Sequence, residues 1–204
     1  SKNNDIIAFS KLISVVEKHA PYIKRFLFVS SQTVVGPAKS LYEPVDETTP
    51  RNPITSYGRS KKEAEDVVLS YKGKIPFTIV RAPAVYGPRD TAIYDIFRTV
   101  KMGLGTMVGF RDKYISLIHS EDLSRGIIEA AESEKTKDEI YFVSSEEFYT
   151  WKQLINIIAE KMNKKFVKKS FIFYILIILI LTNRCEIDND SDDSIEIARS
   201  IVGT

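Results

Sequence analysis

The chain has 204 residues, with 29 basic and 27 acidic side chains, a net charge of +2 and 44% hydrophobic residues. This size suits one domain or a domain and a half, and it can bury a core without disulfide or metal staples. The near balance of charge leaves no nucleic-acid footprint. The lone Cys185 excludes a disulfide framework, and His19 and His119 form no metal-spaced cluster, so neither nucleic acid nor metal is expected.

In chain order, Ile6, Ile7, Phe9, Leu12, Ile13 and Val16 predict an amphipathic helix over 4–19, stopped by Pro21. Arg25–Ser31 is a short apolar run ending in two serines, read as a strand buried on both faces. Residues 32–55 carry Gly36, Pro37, Pro44, Pro50 and Pro53 without periodicity, which makes a long loop of the kind that is usually functional. A helix is predicted over 56–71, with Ala64, Val67, Val68 and Tyr71 inward, then a strand over 76–81 and a loop over 82–90. Residues 92–102 read as a helix, 114–118 as a strand, 121–131 as a helix capped by Ser120, and 140–143 as a strand. Thr150 opens a last helix running to Met162. This alternation predicts an α/β fold with a parallel sheet.

The tail changes character. Lysines 161, 164, 165, 168 and 169 precede the apolar run Phe171–Leu181, and acidic residues follow it. The run is shorter than the roughly 20 residues a membrane span needs. It is read first as a buried or groove-covering helix, while membrane contact through 161–181 is an alternative that is not favoured. The single thiol fits a reducing compartment and no secretory signal opens the sequence, so a cytoplasmic location is expected.

Tyr57 and Lys61 stand four apart at the start of a predicted helix and so share a face. An ammonium beside a phenol favours phenolate, lowering its pKa from about 10, and a phenol so tuned can exchange a proton with a substrate hydroxyl. Ser31, at the carboxyl end of its strand, can hydrogen-bond the same oxygen, where open α/β sheets place their ligands. Alone the pair is weak evidence, because ten tyrosines and nineteen lysines make such a spacing expected by chance.

The pair has company. Phe28-Val29-Ser30-Ser31-Gln32-Thr33-Val34-Val35-Gly36 precedes it, as do Asp46-Glu47-Thr48-Thr49-Pro50 and Pro53-Ile54-Thr55-Ser56. Val80-Arg81-Ala82-Pro83-Ala84-Val85-Tyr86-Gly87-Pro88-Arg89-Asp90 and Ile118-His119-Ser120-Glu121-Asp122-Leu123 follow it. As an ordered set, over residues 5–163, these segments resemble the extended short-chain dehydrogenase/reductase superfamily in its NAD-dependent epimerase/dehydratase branch. The resemblance implies a Rossmann-type parallel sheet, its C-terminal half only, with a small C-terminal substrate lobe. The expected division is 1–90 as a partial dinucleotide-binding domain with the Ser/Tyr/Lys residues, 91–170 as the substrate side, and 171–204 as an unmatched tail.

The resemblance makes Tyr57 the acid/base, Lys61 the holder of the nicotinamide ribose, and Ser31 the group that polarises the substrate oxygen. It implies NAD or NADP as cofactor, met by Ser30, Tyr57, Lys61, Pro83 and Val85. It implies a small-molecule substrate, met by Gln32, Thr33, Ala84, Arg89 and Arg111. The activity implied is hydride transfer at a sugar, nucleotide-sugar or other secondary alcohol, and a homodimer through helices 4–19 and 56–71 is a further expectation.

Three departures shape these expectations. No G-x-x-G-x-x-G turn occurs among the nine glycines, so the chain reads as the latter part of a longer enzyme, with Ser1 in place of Met in keeping, and no useful NAD affinity alone is expected. Gln32 and Thr33 stand where the family's dehydratases carry Asp-Glu, which disfavours dehydration. Ile115-Ser116-Leu117 replaces the Arg-Asp-Tyr of many nucleotide-sugar epimerases, with Arg111 out of register, which gives weight to a small or sterol-like alcohol. A non-catalytic remnant or binding module derived from this family is the alternative, and a membrane-surface sterol-type dehydrogenase is another. His119 and Trp151 are read as structural, and Asp122 as a helix-capping residue.

Overall fold

The computed structural model describes residues 2–40, 42–103 and 114–163. Their elements, in chain order, are α1 (Lys2–His19), β1 (Phe26–Ser31), a 3-10 turn (Gln32–Val34), α2 (Ser56–Leu69), β2 (Phe77–Ala82), β3 (Ala84–Tyr86), α3 (Ala92–Lys101), β4 (Tyr114–His119), α4 (Ser120–Glu132), a second 3-10 turn (Glu134–Thr136), β5 (Glu139–Phe142), β6 (Phe148–Thr150) and α5 (Trp151–Lys161). The chain forms two compact units: one runs to Pro83 and resumes over Glu121–Ser144, and the other covers Ala84–Ser120 and resumes at Ser145. The sequence places one break near residue 90, whereas the chain passes between units after Pro83, after Ser120 and after Ser144.

In the first unit β1, β2 and β5 form the expected all-parallel sheet in the order β1-β2-β5. β2 is central and buried along its whole length. Side chains alternate across a strand, so Phe26, Phe28 and Ser30 share a face with their register partners Phe77, Ile79 and Arg81. The first two rungs pack with Ile13 of α1 and Val68 of α2 into an apolar core. The last rung, at the carboxyl end, is polar. On the opposite face Arg25 reaches across to donate to Thr78 Oγ1 (2.7 Å) and to Thr136 Oγ1 (2.9 Å). There α4 meets the sheet so closely that a Cβ on Gly126 would stand 2.6 Å from Val143 Cγ1. The expectation that β1 is covered on both faces is corrected at Val29, which is 38% exposed because β1 is the edge strand of the described sheet.

The second unit corrects the sequence reading twice. β3 lies inside the predicted loop 82–90, and β6 precedes the last helix where no strand is predicted. Each is three residues long, too short to show alternation. β3 pairs parallel with β4, but β4 pairs antiparallel with β6, so the strands are not all parallel. Tyr86, Phe97, Val100, Leu117, Leu154, Ile155 and Ile158 form the core beneath α3 and α5. Thr150 caps α5 as predicted: its hydroxyl accepts from Gln153 N (3.1 Å), and Gln153 Oε1 accepts from Thr150 N (2.7 Å), a reciprocal capping box.

Among the described residues no helix is long and apolar enough to cross a membrane, and no group of three or more His, Cys, Asp or Glu could hold a metal ion. The run 171–181, lysines 164–169 and Cys185 lie outside the described residues.

Candidate functional site

The carboxyl end of β1 is where the sequence places Ser31. Its hydroxyl caps the 3-10 turn, accepting from Thr33 N (3.3 Å) and from Thr33 Oγ1 (3.0 Å). A serine hydroxyl can also donate, as polarising a substrate oxygen requires. Gln32 and Thr33, the expected substrate contacts, are both half-buried in that turn.

The first turn of α2 lies directly against the same turn. Thr55 caps the helix, accepting from Gly58 N (2.9 Å). A Cβ on Gly58 would stand 2.6 Å from the Thr33 carbonyl oxygen and 2.9 Å from Pro53 Cβ, so only glycine permits this approach. Tyr57, beside it, is 54% exposed. Lys61 stands one turn on, with its ammonium 5.9 Å from the Tyr57 ring centroid and 5.1 Å from that of Phe28, and it donates to the Val29 carbonyl (3.0 Å). Partial burial lowers the pKa of Lys61 from its ordinary value, and the nearby Glu65 carboxylate opposes that shift. The structure therefore brings the Tyr57–Lys61 pair to the turn that Ser31 caps.

Ser30 is placed differently from its expected role. It is 3% exposed, and its hydroxyl donates to Glu65 Oε1 (2.6 Å), beneath α2. Pro83 is buried and follows β2, whose last residue Ala82 is the register partner of Ser31. Ala84 and Val85 are half-buried in β3, in the second unit. Arg89 is exposed in a turn closed by Asp90 N donating to the Gly87 carbonyl (3.1 Å), with a left-handed backbone at φ 70°. The Asp90 carboxylate accepts from Ile93 N (2.9 Å), at the start of α3. Arg111 lies outside the described residues. His119 is buried edge-on to Tyr86, with ring centroids 5.2 Å apart, which agrees with a structural reading. Asp122 sits in the first turn of α4 and pairs with Arg125.

Glu65 and Arg81 escaped the sequence reading. Arg81 donates from Nε to Glu65 Oε1 (2.9 Å) and from Nη2 to Oε2 (2.8 Å), with both side chains at 1% exposure or less. Arg51 of the 36–55 loop adds a longer contact to Glu65 (3.5 Å) and pairs with Asp66 (2.7 Å). The signal was a lone charge within an apolar strand and a lone carboxylate on the inward face of a helix between Ala64 and Val68, since such groups are buried only when paired.

Comparison with known proteins places the chain among epimerases and dehydratases. A 4-epimerase of Escherichia coli O157:H7, acting by its name on N-acetyl-alpha-D-glucosaminyl-diphospho-ditrans,octacis-undecaprenol, is 27% identical over 159 residues, covering 76% of this chain and 46% of that protein. The dTDP-glucose 4,6-dehydratase of Bacillus anthracis, solved with NAD, superposes with a TM-score of 0.71 at 21% identity, covering 80% of this chain and 54% of that one. The UDP-glucuronic acid 4-epimerase of Bacillus cereus, solved with UDP-glucuronic acid and NAD, gives 0.68 at 23% identity, covering 80% and 53%. The chain thus spans about half the length of the relatives it matches, and the solved structures share its Rossmann-type α/β fold. Residues 2–167 match the family described as NAD dependent epimerase/dehydratase, and the chain belongs to that family.

Proposed function

We propose that this chain carries the proton-transfer residues of an NAD(P)-dependent oxidoreductase or epimerase acting on a sugar, a nucleotide-sugar or another secondary alcohol. The observation that carries this reading is the docking of the Tyr57–Lys61 turn of α2 onto the turn capped by Ser31. In this reading Tyr57 takes a proton from, or returns one to, the substrate hydroxyl. Lys61, its ammonium 5.9 Å from the Tyr57 ring centroid, is proposed to meet the nicotinamide ribose. Ser31 donates a hydrogen bond to the same oxygen, with Thr33 beside it at 3.0 Å.

The nicotinamide-ribose end of a dinucleotide is proposed to lie here, because the helix turn carrying a phenol and an ammonium packs against the turn whose hydroxyl cap ends a parallel strand. Bound there, the nicotinamide would accept and return the substrate's hydride. Pro83, buried directly after β2, is proposed as the wall beside it. The 204 residues contain no G-x-x-G-x-x-G turn to cradle the pyrophosphate, so dinucleotide affinity of this chain by itself is expected to be weak. Relatives named for sugar diphosphates favour a substrate of that class. Gln32 and Thr33 supply no carboxylate, and the Thr33 hydroxyl is engaged by Ser31, which favours epimerisation or oxidation over dehydration.

A second reading, a non-catalytic binding module, is favoured by the same missing glycine turn. The test is Tyr57→Phe in a preparation of the protein that interconverts its substrate. Loss of turnover by about 10²–10⁴ with unchanged circular dichroism supports the acid/base role, while turnover within about tenfold of the parent overturns it. The module reading predicts no turnover from the parent or the variant.

A further inference from the structure

Tyr57, Lys61 and Glu65 stand at successive four-residue intervals and so form one stripe along α2. The first two reach the candidate site, and the third enters the sheet. Its carboxylate accepts from Ser30 of β1 and, through two parallel bonds, from Arg81 of β2, and Arg51 of the long loop closes on it. These are the segments that carry the site: Ser30 precedes Ser31, Arg81 lies two residues before Pro83, and the loop leads into Thr55 and Tyr57.

We propose that Glu65 is the positioning residue of this site, its carboxylate fixing where Lys61 and Tyr57 stand relative to Ser31. The inference rests on the functional reading above and adds to it a residue that touches neither substrate nor cofactor. The apolar contacts of Ala64 and Val68 hold α2 on the sheet but tolerate small slides and rotations, since burial is not directional. A bidentate guanidinium–carboxylate fork is directional, because its two bonds fix both the reach and the plane of the carboxylate. A buried ion pair adds little stability over an apolar pair of the same shape, so its contribution here is placement.

The groups facing Lys61 make this measurable. Tyr57 and Glu65 approach along α2, the Phe28 ring and the Val29 carbonyl approach from β1, and behind Glu65 stand Arg81 of β2 and Arg51 of the loop. Burial lowers the pKa of Lys61 and Glu65 raises it. Displacing the carboxylate therefore changes the titration of Lys61 even where the fold survives.

The test uses the full chain with Glu65→Leu/Arg81→Met, an apolar exchange that removes both buried charges together. Thermal melting reports the fold, and the carbon-13 shift of the Lys61 ε-methylene, followed against pH, reports placement. The expected result is a melting midpoint close to the parent's with the Lys61 titration midpoint displaced downward, because the ammonium stays buried without its carboxylate. A folded double variant whose Lys61 titration superimposes on the parent's overturns the proposal. Should that variant not fold, Glu65→Gln carries the same readout, because the amide oxygen still accepts from Ser30. Lys61 titration does not depend on turnover, so failure of the functional reading, seen as an active Tyr57→Phe variant, is distinguishable from failure of this one.

Discussion

Glu65 on α2 and Arg81 on β2 meet in two parallel hydrogen bonds of 2.9 and 2.8 Å, buried at the carboxyl end of the sheet. A pair so placed is costly to break and inexpensive to exchange. Glu65→Ala strands the Arg81 guanidinium, whose Nη1 has no hydrogen-bond partner among the described residues, and is expected to cost about 3–5 kcal/mol. Urea unfolding of Glu65→Ala beside Glu65→Leu/Arg81→Met checks this: the single variant should lose most of its midpoint and the double variant little of it.

Gly58→Ala places a methyl against the Thr33 carbonyl and Pro53, atoms that backbone and ring hold in place. An overpacked contact of this kind costs about 1–3 kcal/mol. Because it lifts the first turn of α2 from the turn capped by Ser31, the amide signals of residues 31–33 and 57–61 should move together. A variant with the parent's midpoint and unmoved signals would show that the contact is not tight.

Arg89 holds a left-handed backbone in a turn with Pro88 at its second position, the third place of which favours glycine. Arg89→Gly relieves that conformation and should raise stability by about 0.5–1 kcal/mol, read as a higher melting temperature. A lower melting temperature would mean that the Arg89 side chain contributes more than its backbone costs.

Burial and the neighbouring Glu147 carboxylate push Tyr149 up to about 12 from 10.0. The folded state thus holds this proton more tightly than the unfolded chain does. The resulting stability is fully present below pH 10 and is lost as pH rises from 10 to about 12. Tyr149→Phe should flatten that part of the stability–pH curve relative to the parent, and superimposable slopes for the two proteins would contradict the shift.

The legible parts of the molecule were those with local causes. Tyr57 and Lys61 share a face because a helix brings residues four apart together, and Thr150 announces its capping box within its own turn. β2 is legible because its apolar run has no polar alternation. What escaped depends on distant partners. Ser30 is recruited by a carboxylate 35 residues away, and Arg81 by the same group 16 residues away, so neither role shows in a local window. Val29 is 38% exposed on the edge strand of the described sheet, and edge position follows from topology rather than composition. β3 and β6 are too short for a period to register, and their pairing sense follows from the path of the chain between units.

Ser31, Tyr57 and Lys61 are proposed as the nicotinamide-facing end of a dinucleotide site. The most direct measurement is a two-dimensional amide spectrum of the full 204-residue chain with NAD or NADP titrated from micromolar to millimolar. No saturable binding is expected at micromolar concentration. At millimolar concentration progressive shifts centred on residues 31–33 and 57–61 are expected. Shifts confined to other residues, none at millimolar concentration, or saturation at micromolar would contradict the proposal.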